Sequence, residues 1–293
     1  LLAEHSASIE TIMKSTPSAQ LAWEAAVCGG IPVIQLLQTA YPCSDSIESV
    51  CGICNGTTSF MLTAMAEGSD YATVLKEAQD LGYAEADPTA DVEGFDVRAK
   101  IALLAMLAFG GRVTSVESIP CQGISKLTQK DFDNAKKLDA SIKLIGTASR
   151  TEDGASIYVT PTMVHNSHPL ASIDGVGNAV TVPSRNLGGC TFTGPGAGRY
   201  PPANSVVAAL ARTSSPPPLA SAELSVSADY EVPFYVRFRG GSESLSTTAV
   251  SKGVQIKTLE TDFATTEVIS LSCVKSFSSE VDSQALYMPL LGF

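Results

Sequence analysis

Asp96 and Lys100 stand four residues apart in a stretch that reads as helix, so both side chains leave the same face. An acidic loop holding Glu85, Asp87, Asp91 and Glu93 runs ahead of them. Behind them, residues 101–109 are apolar on every side, the pattern of a buried helix. A lysine at the mouth of such a helix, beside carboxylates, is costly unless something is held there. An ammonium so placed can deliver a proton or a positive charge to an oxygen. A neighbouring carboxylate can hold a cationic group or tune the lysine. The simpler alternative is a surface i,i+4 ion pair worth about 0.3–0.5 kcal/mol, but such a pair does not need the apolar helix that follows.

The turn Asn55, Gly56, Thr57, Thr58 closes an apolar strand and opens a helix. Backbone amides and hydroxyls there can hold a carboxylate, or Thr57 or Thr58 can simply cap the helix. Cys51 and Cys54 form a CxxC inside that apparent strand. No second CxxC or close histidine pair completes a zinc site, so buried thiols are the plainer reading. The seven cysteines are odd in number and lack a framework spacing, as in reduced, cytosol-like compartments. His165 and His168, the latter before Pro169, read as structural or interfacial.

Several elements must position these groups. Residues 1–14 read as an amphipathic helix, 21–27 as a strand, and 33–39 as a helix after the Gly29-Gly30 break. A strand over 47–53 precedes helices over 58–67 and 71–81, and Asp91 opens the buried helix. A polar helix spans 128–140. Strands over 142–149, 156–159, 179–182 and 188–192 complete a mixed sheet. The proline-rich stretch 214–218 reads as a linker. Beyond it come a strand over 234–239, a short helix over 245–252, strands over 254–258 and 268–274, and a helix over 279–286.

Net charge of −11 argues against nucleic acid. The longest apolar run, 101–109, is far short of the roughly 18 residues that suggest a membrane span. A length of 293 residues allows two or three domains.

The segments 52–59, 81–89 and 91–100 resemble homoserine dehydrogenase. So do 23–34, 166–171 with 177–180, and 194–198, all in the family's order. The resemblance implies reversible, NAD(P)-dependent hydride transfer between L-aspartate 4-semialdehyde and L-homoserine, on the route to threonine, methionine and isoleucine. It implies Lys100 as proton donor, with Glu85 and Asp96 as the substrate-binding carboxylates facing the α-ammonium. Asn55, Gly56 and Thr57 would hold the substrate's other end. Gly82, Gly196, Ala197 and Gly198 would touch NADP (or NAD). Glu24, Val27, Gly29 and Ile31 would bind a monovalent cation such as sodium; the alternative for Glu24 is a buried acid capping nearby backbone. Ser59 and Pro202 depart from the family's usual residues.

The implied fold class is α/β and α+β. Residues 1–42, with 191–213 returning to them, would be a remnant of a Rossmann-like nucleotide domain. Residues 43–190 would form the catalytic and dimerisation domain, 214–226 a linker, and 227–293 an ACT-like βαββα unit with an amino-acid effector. The usual Pro-Gly before the first ACT helix is replaced by Gly240-Gly241. A homodimer or higher homo-oligomer in the cytoplasm is implied. A dinucleotide domain should open with strand, GxGxxG and helix, and no such motif precedes Glu24. The chain therefore reads as an N-terminal truncation, expected to be inactive alone. The alternative function is a dimerising or regulatory fragment without catalysis.

Overall fold

Ten strands join in one sheet in the computed structural model, which describes residues 1–16, 18–41, 45–211, 219–239 and 242–293. The linker over 214–218, the end of the returning segment at 212–213 and the 240–241 glycines lie outside the described residues. In chain order the main elements are α1 (Leu2–Ser15), α2 (Val33–Thr39), β1 (Ser49–Ile53), α3 (Gly56–Ala66), α4 (Tyr71–Asp80) and α5 (Phe95–Phe109). They continue with α6 (Gln129–Lys137), β2 (Ala140–Thr151), β3 (Gly154–His165), β4 (Gly177–Ser184), β5 (Gly188–Pro195), α7 (Tyr200–Ala211) and β6 (Val226–Ser227). The last are β7 (Phe234–Arg237), α8 (Ser242–Lys252), β8 (Ile256–Leu259), β9 (Phe263–Thr266), α9 (Leu271–Val281) and β10 (Leu286–Leu291).

The sheet runs β8-β9-β7-β10-β3-β2-β1-β4-β5, with β6 also on β3. All neighbours are antiparallel except β10 on β3 and β6 on β3. The fold is thus mixed α/β, as expected. Helix α5 lies across β1, β2 and β3 and also meets α1 and α2. Val97, Ile101, Leu104 and Ala105 on it are fully buried, which is why its sequence shows no polar face.

The structure corrects several expectations. Residues 21–27 form no strand; a 3-10 turn at Glu24–Ala26 leads into left-handed Cys28 (φ 55) and Gly29 (φ 51). A short apolar run cannot by periodicity alone be told from a buried turn. Asp91 does not open α5. It lies within a single turn, Thr89–Val92, and left-handed Gly94 (φ 81) separates that turn from the helix.

The largest revision is in the last third. Residues 268–274 are no strand: Ile269–Ser270 makes a short edge pair, then α9 begins, capped by the Ser270 hydroxyl at Cys273 N (3.1 Å). The missing strand is β9, and the chain ends in β10 rather than a helix. The unit is therefore βαββαβ, with strand order β8-β9-β7-β10.

A buried polar network fastens this unit to the rest. Asp131, fully buried on α6, accepts from Arg237 on β7 and from the Tyr235 hydroxyl (3.2 Å). The same α6 is closed by a capping box between Thr128 and Asp131.

Candidate active site

Asn55 follows β1 by two residues and caps α3: its Oδ1 accepts from Thr58 N at 2.9 Å. Its Nδ2 then reaches across the chain, donating to Asp91 Oδ1 (2.7 Å) and Asp96 Oδ2 (2.8 Å). The same Asp96 oxygen accepts from Lys100 Nζ at 2.7 Å, and Lys100 also donates to the Cys54 carbonyl at 2.8 Å. Strand end, acidic loop and buried helix are thus tied into one hydrogen-bonded chain. The left-handed glycine at 94 makes this possible, because it turns the chain between Asp91 and Asp96 so that both meet one amide.

Lys100 and Asp96 keep 21% and 30% of their side chains exposed, so the pair is sheltered but reachable. Burial works to lower the lysine's pKa. The Asp96 charge and its hydrogen bond outweigh burial and hold it above 10.5. Lys100 is therefore an ammonium at neutral pH. Burial raises the Asp91 carboxyl above its usual range, and the hydrogen bond from Asn55 works against that.

Both Lys100 and Asp96 line a cleft of about 800 Å³, walled also by Trp23, Glu24, Leu103 and Ser205. Its size suits a small-molecule site. Thr57 donates to the Tyr83 carbonyl at 2.7 Å, which draws the acidic loop toward the α3 mouth. Glu85 follows on that loop with its side chain exposed.

The glycine segment 194–198 packs beside these groups. A Cβ on Gly56 would stand 3.8 Å from that of Ala197, and one on Gly29 would lie 2.4 Å from the Gly196 carbonyl. Gly30 N donates to the Pro195 carbonyl (3.2 Å), and Ser205 on α7 donates to the Gly29 carbonyl (2.7 Å). Left-handed Gly198 (φ 108) would bring a Cβ near Pro201 alone, at 3.7 Å, so the backbone is bare on that side. Gly196 has no such room, since a Cβ there would lie 2.1 Å from the buried Asn178 carboxamide carbon. Gly196→Ala is expected to lower stability by about 1–3 kcal/mol through overpacking, read as a fall in melting temperature. An unchanged melting temperature would mean the loop yields freely.

The other expected positions fall differently. Gly82 (φ 75) terminates α4, with its amide on the Gln79 carbonyl (3.0 Å) and open space where a Cβ would stand. Glu24 accepts from Ile34 N (2.9 Å) and Gln35 N (3.1 Å), which makes it the buried cap of α2. Cys51 and Cys54 belong to different core clusters, and no group of three or more potential metal ligands occurs among the described residues. Asp91, read from sequence as one of several loop acids, proves integral to the network. Its one signal was its place before a glycine that interrupts the helix.

Residues 32–210, more than half of the chain, match the homoserine dehydrogenase family. The chain is 47% identical over 189 residues to homoserine dehydrogenase of Bacillus subtilis, covering 64% of this chain and 43% of that protein. It is 45% identical over 199 residues to the NAD(+)-dependent homoserine dehydrogenase of Pseudomonas canavaninivorans, covering 68% and 56%. The crystal structure of a homoserine dehydrogenase from Thiobacillus denitrificans superposes with a TM-score of 0.90 at 30% identity, over 99% of this chain and 74% of that one. The chain spans about half the length of the curated relatives it matches. It belongs to the homoserine dehydrogenase family.

Proposed function

We propose that this chain carries the substrate-binding and proton-transferring part of an NAD(P)-dependent homoserine dehydrogenase acting on L-aspartate 4-semialdehyde and L-homoserine. The observation that carries the reading is the Lys100–Asp96–Asn55–Asp91 network at the mouth of α3, open to a cleft.

A bound nicotinamide supplies or accepts the hydride. The chain's own residues then handle charge and position. Lys100, kept protonated by Asp96, directs a positive N–H toward the carbonyl oxygen and gives it a proton as negative charge develops. In the reverse direction the neutral amine, once it has released a proton to solvent, receives the hydroxyl proton. Asp91, Asp96 and Glu85 supply negative charge for the α-ammonium. The amides that open α3 face the substrate's carboxylate, since a helix N-terminus favours an anion. Gly196, Ala197 and Gly198 would hold the nicotinamide cofactor by close backbone approach, and the bare face at Gly198 fits that use.

The resemblance also implies a monovalent cation at Glu24, Val27, Gly29 and Ile31. Oxygen donors suit a hard cation. However, Glu24 already accepts two α2 amides, the Gly29 carbonyl accepts from Ser205, and the Ile31 carbonyl accepts from Val33 N (2.7 Å). These groups as arranged serve α2 and α7, and no step is routed through a cation.

We read 227–293 as ACT-like from its βαββαβ order, and 43–190 as the catalytic domain because it holds the whole hydrogen-bonded network. An amino-acid effector on the ACT-like unit and a homo-oligomer belong to the same reading, and light scattering with and without threonine tests both.

The test of function is the full-length protein assayed with semialdehyde and NADPH or NADH. Absence of turnover with both would overturn the reading. Glu85→Gln is expected to weaken homoserine binding by roughly 1.5–3 kcal/mol, the contribution of a hydrogen bond to a charged group, which is a rise of roughly 10- to 150-fold in KM. Unchanged KM and kcat would leave Glu85 a solvated loop acid.

A further inference from the structure

A second cleft, of about 450 Å³, opens where the central sheet meets the βαββαβ unit, and none of its lining residues belongs to the Lys100 network. Its floor follows from strand register. Ser149 on β2 stands opposite Ser156 on β3, and Ser156 stands opposite Ser227 on β6. Residues paired across neighbouring strands share a face, so these hydroxyls form a row. Tyr158, two residues beyond Ser156, shares that face and stacks on Tyr230 with centroids 3.6 Å apart and planes 13° from parallel.

Two observations give this floor chemical meaning. Ser156 is 7% exposed, and its buried hydroxyl has no hydrogen-bond partner among the described residues. A buried hydroxyl left unpaired is costly, which marks it as a group awaiting a ligand. The charged lining is Asp153, Asp229 and Glu231, with no lysine, arginine or histidine. Asp229 is fixed in place, accepting from Ser272 N (2.9 Å) and the Ser272 hydroxyl (2.7 Å), whereas Asp153 and Glu231 are exposed at the rim.

We propose that this cleft binds a small aliphatic diamine, with its ammonium groups on separate members of the Asp153, Asp229 and Glu231 set and its carbon chain along the Tyr158–Tyr230 stack. Ammonium groups pair well with carboxylates and hydroxyl acceptors, and they are attracted to aromatic faces. An inorganic metal ion is disfavoured, because no three potential ligands cluster closely enough among the described residues. An α-amino acid is disfavoured too, because no cationic side chain in the lining receives its carboxylate. The site is thus distinct from the amino-acid effector considered above, and it does not depend on the proposed reaction.

The test is calorimetric titration of the full-length protein with 1,4-diaminobutane at constant ionic strength. Saturable binding is expected, retained in Lys100→Ala. It is expected to weaken at least about tenfold in Asp153→Asn/Glu231→Gln, which removes two of the three carboxylates. Asp153→Asn alone carries the test should the double variant fail to fold, and Ser156→Val should abolish binding by filling the floor. Absence of saturable binding, equal affinity in the rim variants, or equal displacement by potassium chloride or L-threonine would overturn the proposal.

Discussion

Lys100→Ala is expected to lower kcat by roughly 10²–10⁴-fold, the usual reach of general acid–base catalysis, with a smaller change in KM. The expectation rests on geometry. The ammonium faces the cleft, is fixed by Asp96 at 2.7 Å and the Cys54 carbonyl at 2.8 Å, and has one remaining donor for a substrate oxygen. Removing it leaves the carbonyl oxygen without its proton source and leaves Asp96 held only by Asn55. The pH profile gives a second check. A lysine raised above 10.5 stays charged through the neutral range, so its own titration should not limit kcat for semialdehyde reduction below that pH, whereas homoserine oxidation should speed up as pH rises toward it. Steady-state kinetics of the variant decide the matter, and one that keeps most of its kcat rules Lys100 out as proton donor.

The second large effect concerns stability. Arg237→Ala is expected to destabilise the protein by about 3–5 kcal/mol, because it strands a buried carboxylate. Asp131 is wholly buried, while Arg237 is 17% exposed. Burial already holds Asp131 above its ordinary 3.8 in spite of Arg237, whose charge lowers it. Without the guanidinium the carboxyl rises further. A folded-state pKa above the unfolded one means that the native state binds the proton more tightly, so stability falls as pH rises through the folded pKa. The defect should accordingly be larger at neutral pH than near pH 4. Denaturant midpoints at two pH values measure it. Equal and small losses at both would show that the charge is not isolated.

The Asp96–Lys100 pairing was legible in the sequence because i,i+4 geometry is local and survives any tertiary arrangement. The same holds for α2, whose bounds match the expected helix. The cap of α3 falls elsewhere: Thr57 or Thr58 is the expected residue, and Asn55 fills the position. Asp91 was not legible. Its partner lies 36 residues away, and the approach depends on the left-handed Gly94 turn. For Glu24 a buried acid capping nearby backbone is the alternative to a cation ligand, but its target was not legible, since the carboxylate folds back over the Gly29 turn onto α2.

Strand β10 contains Pro289, which argues against a strand on local grounds because it lacks an amide donor. Strand β9, Phe263–Thr266, is short and half threonine, without a clear alternation to announce it. Both are strands because the sheet supplies partners, a tertiary effect that overrides local preference.

The parallel contact of β10 with β3, at Leu290–Met163 and Leu291–Val164, makes the C-terminal unit continuous with the central sheet. A ligand that alters the twist of the outer four strands therefore needs no relay through a flexible tether. The bend passes along a shared ladder of hydrogen bonds to β3, and then through β2 to β1, which leads into Asn55. Mechanically, the outer unit is a lever welded to the plate on which the lysine and its carboxylates are mounted.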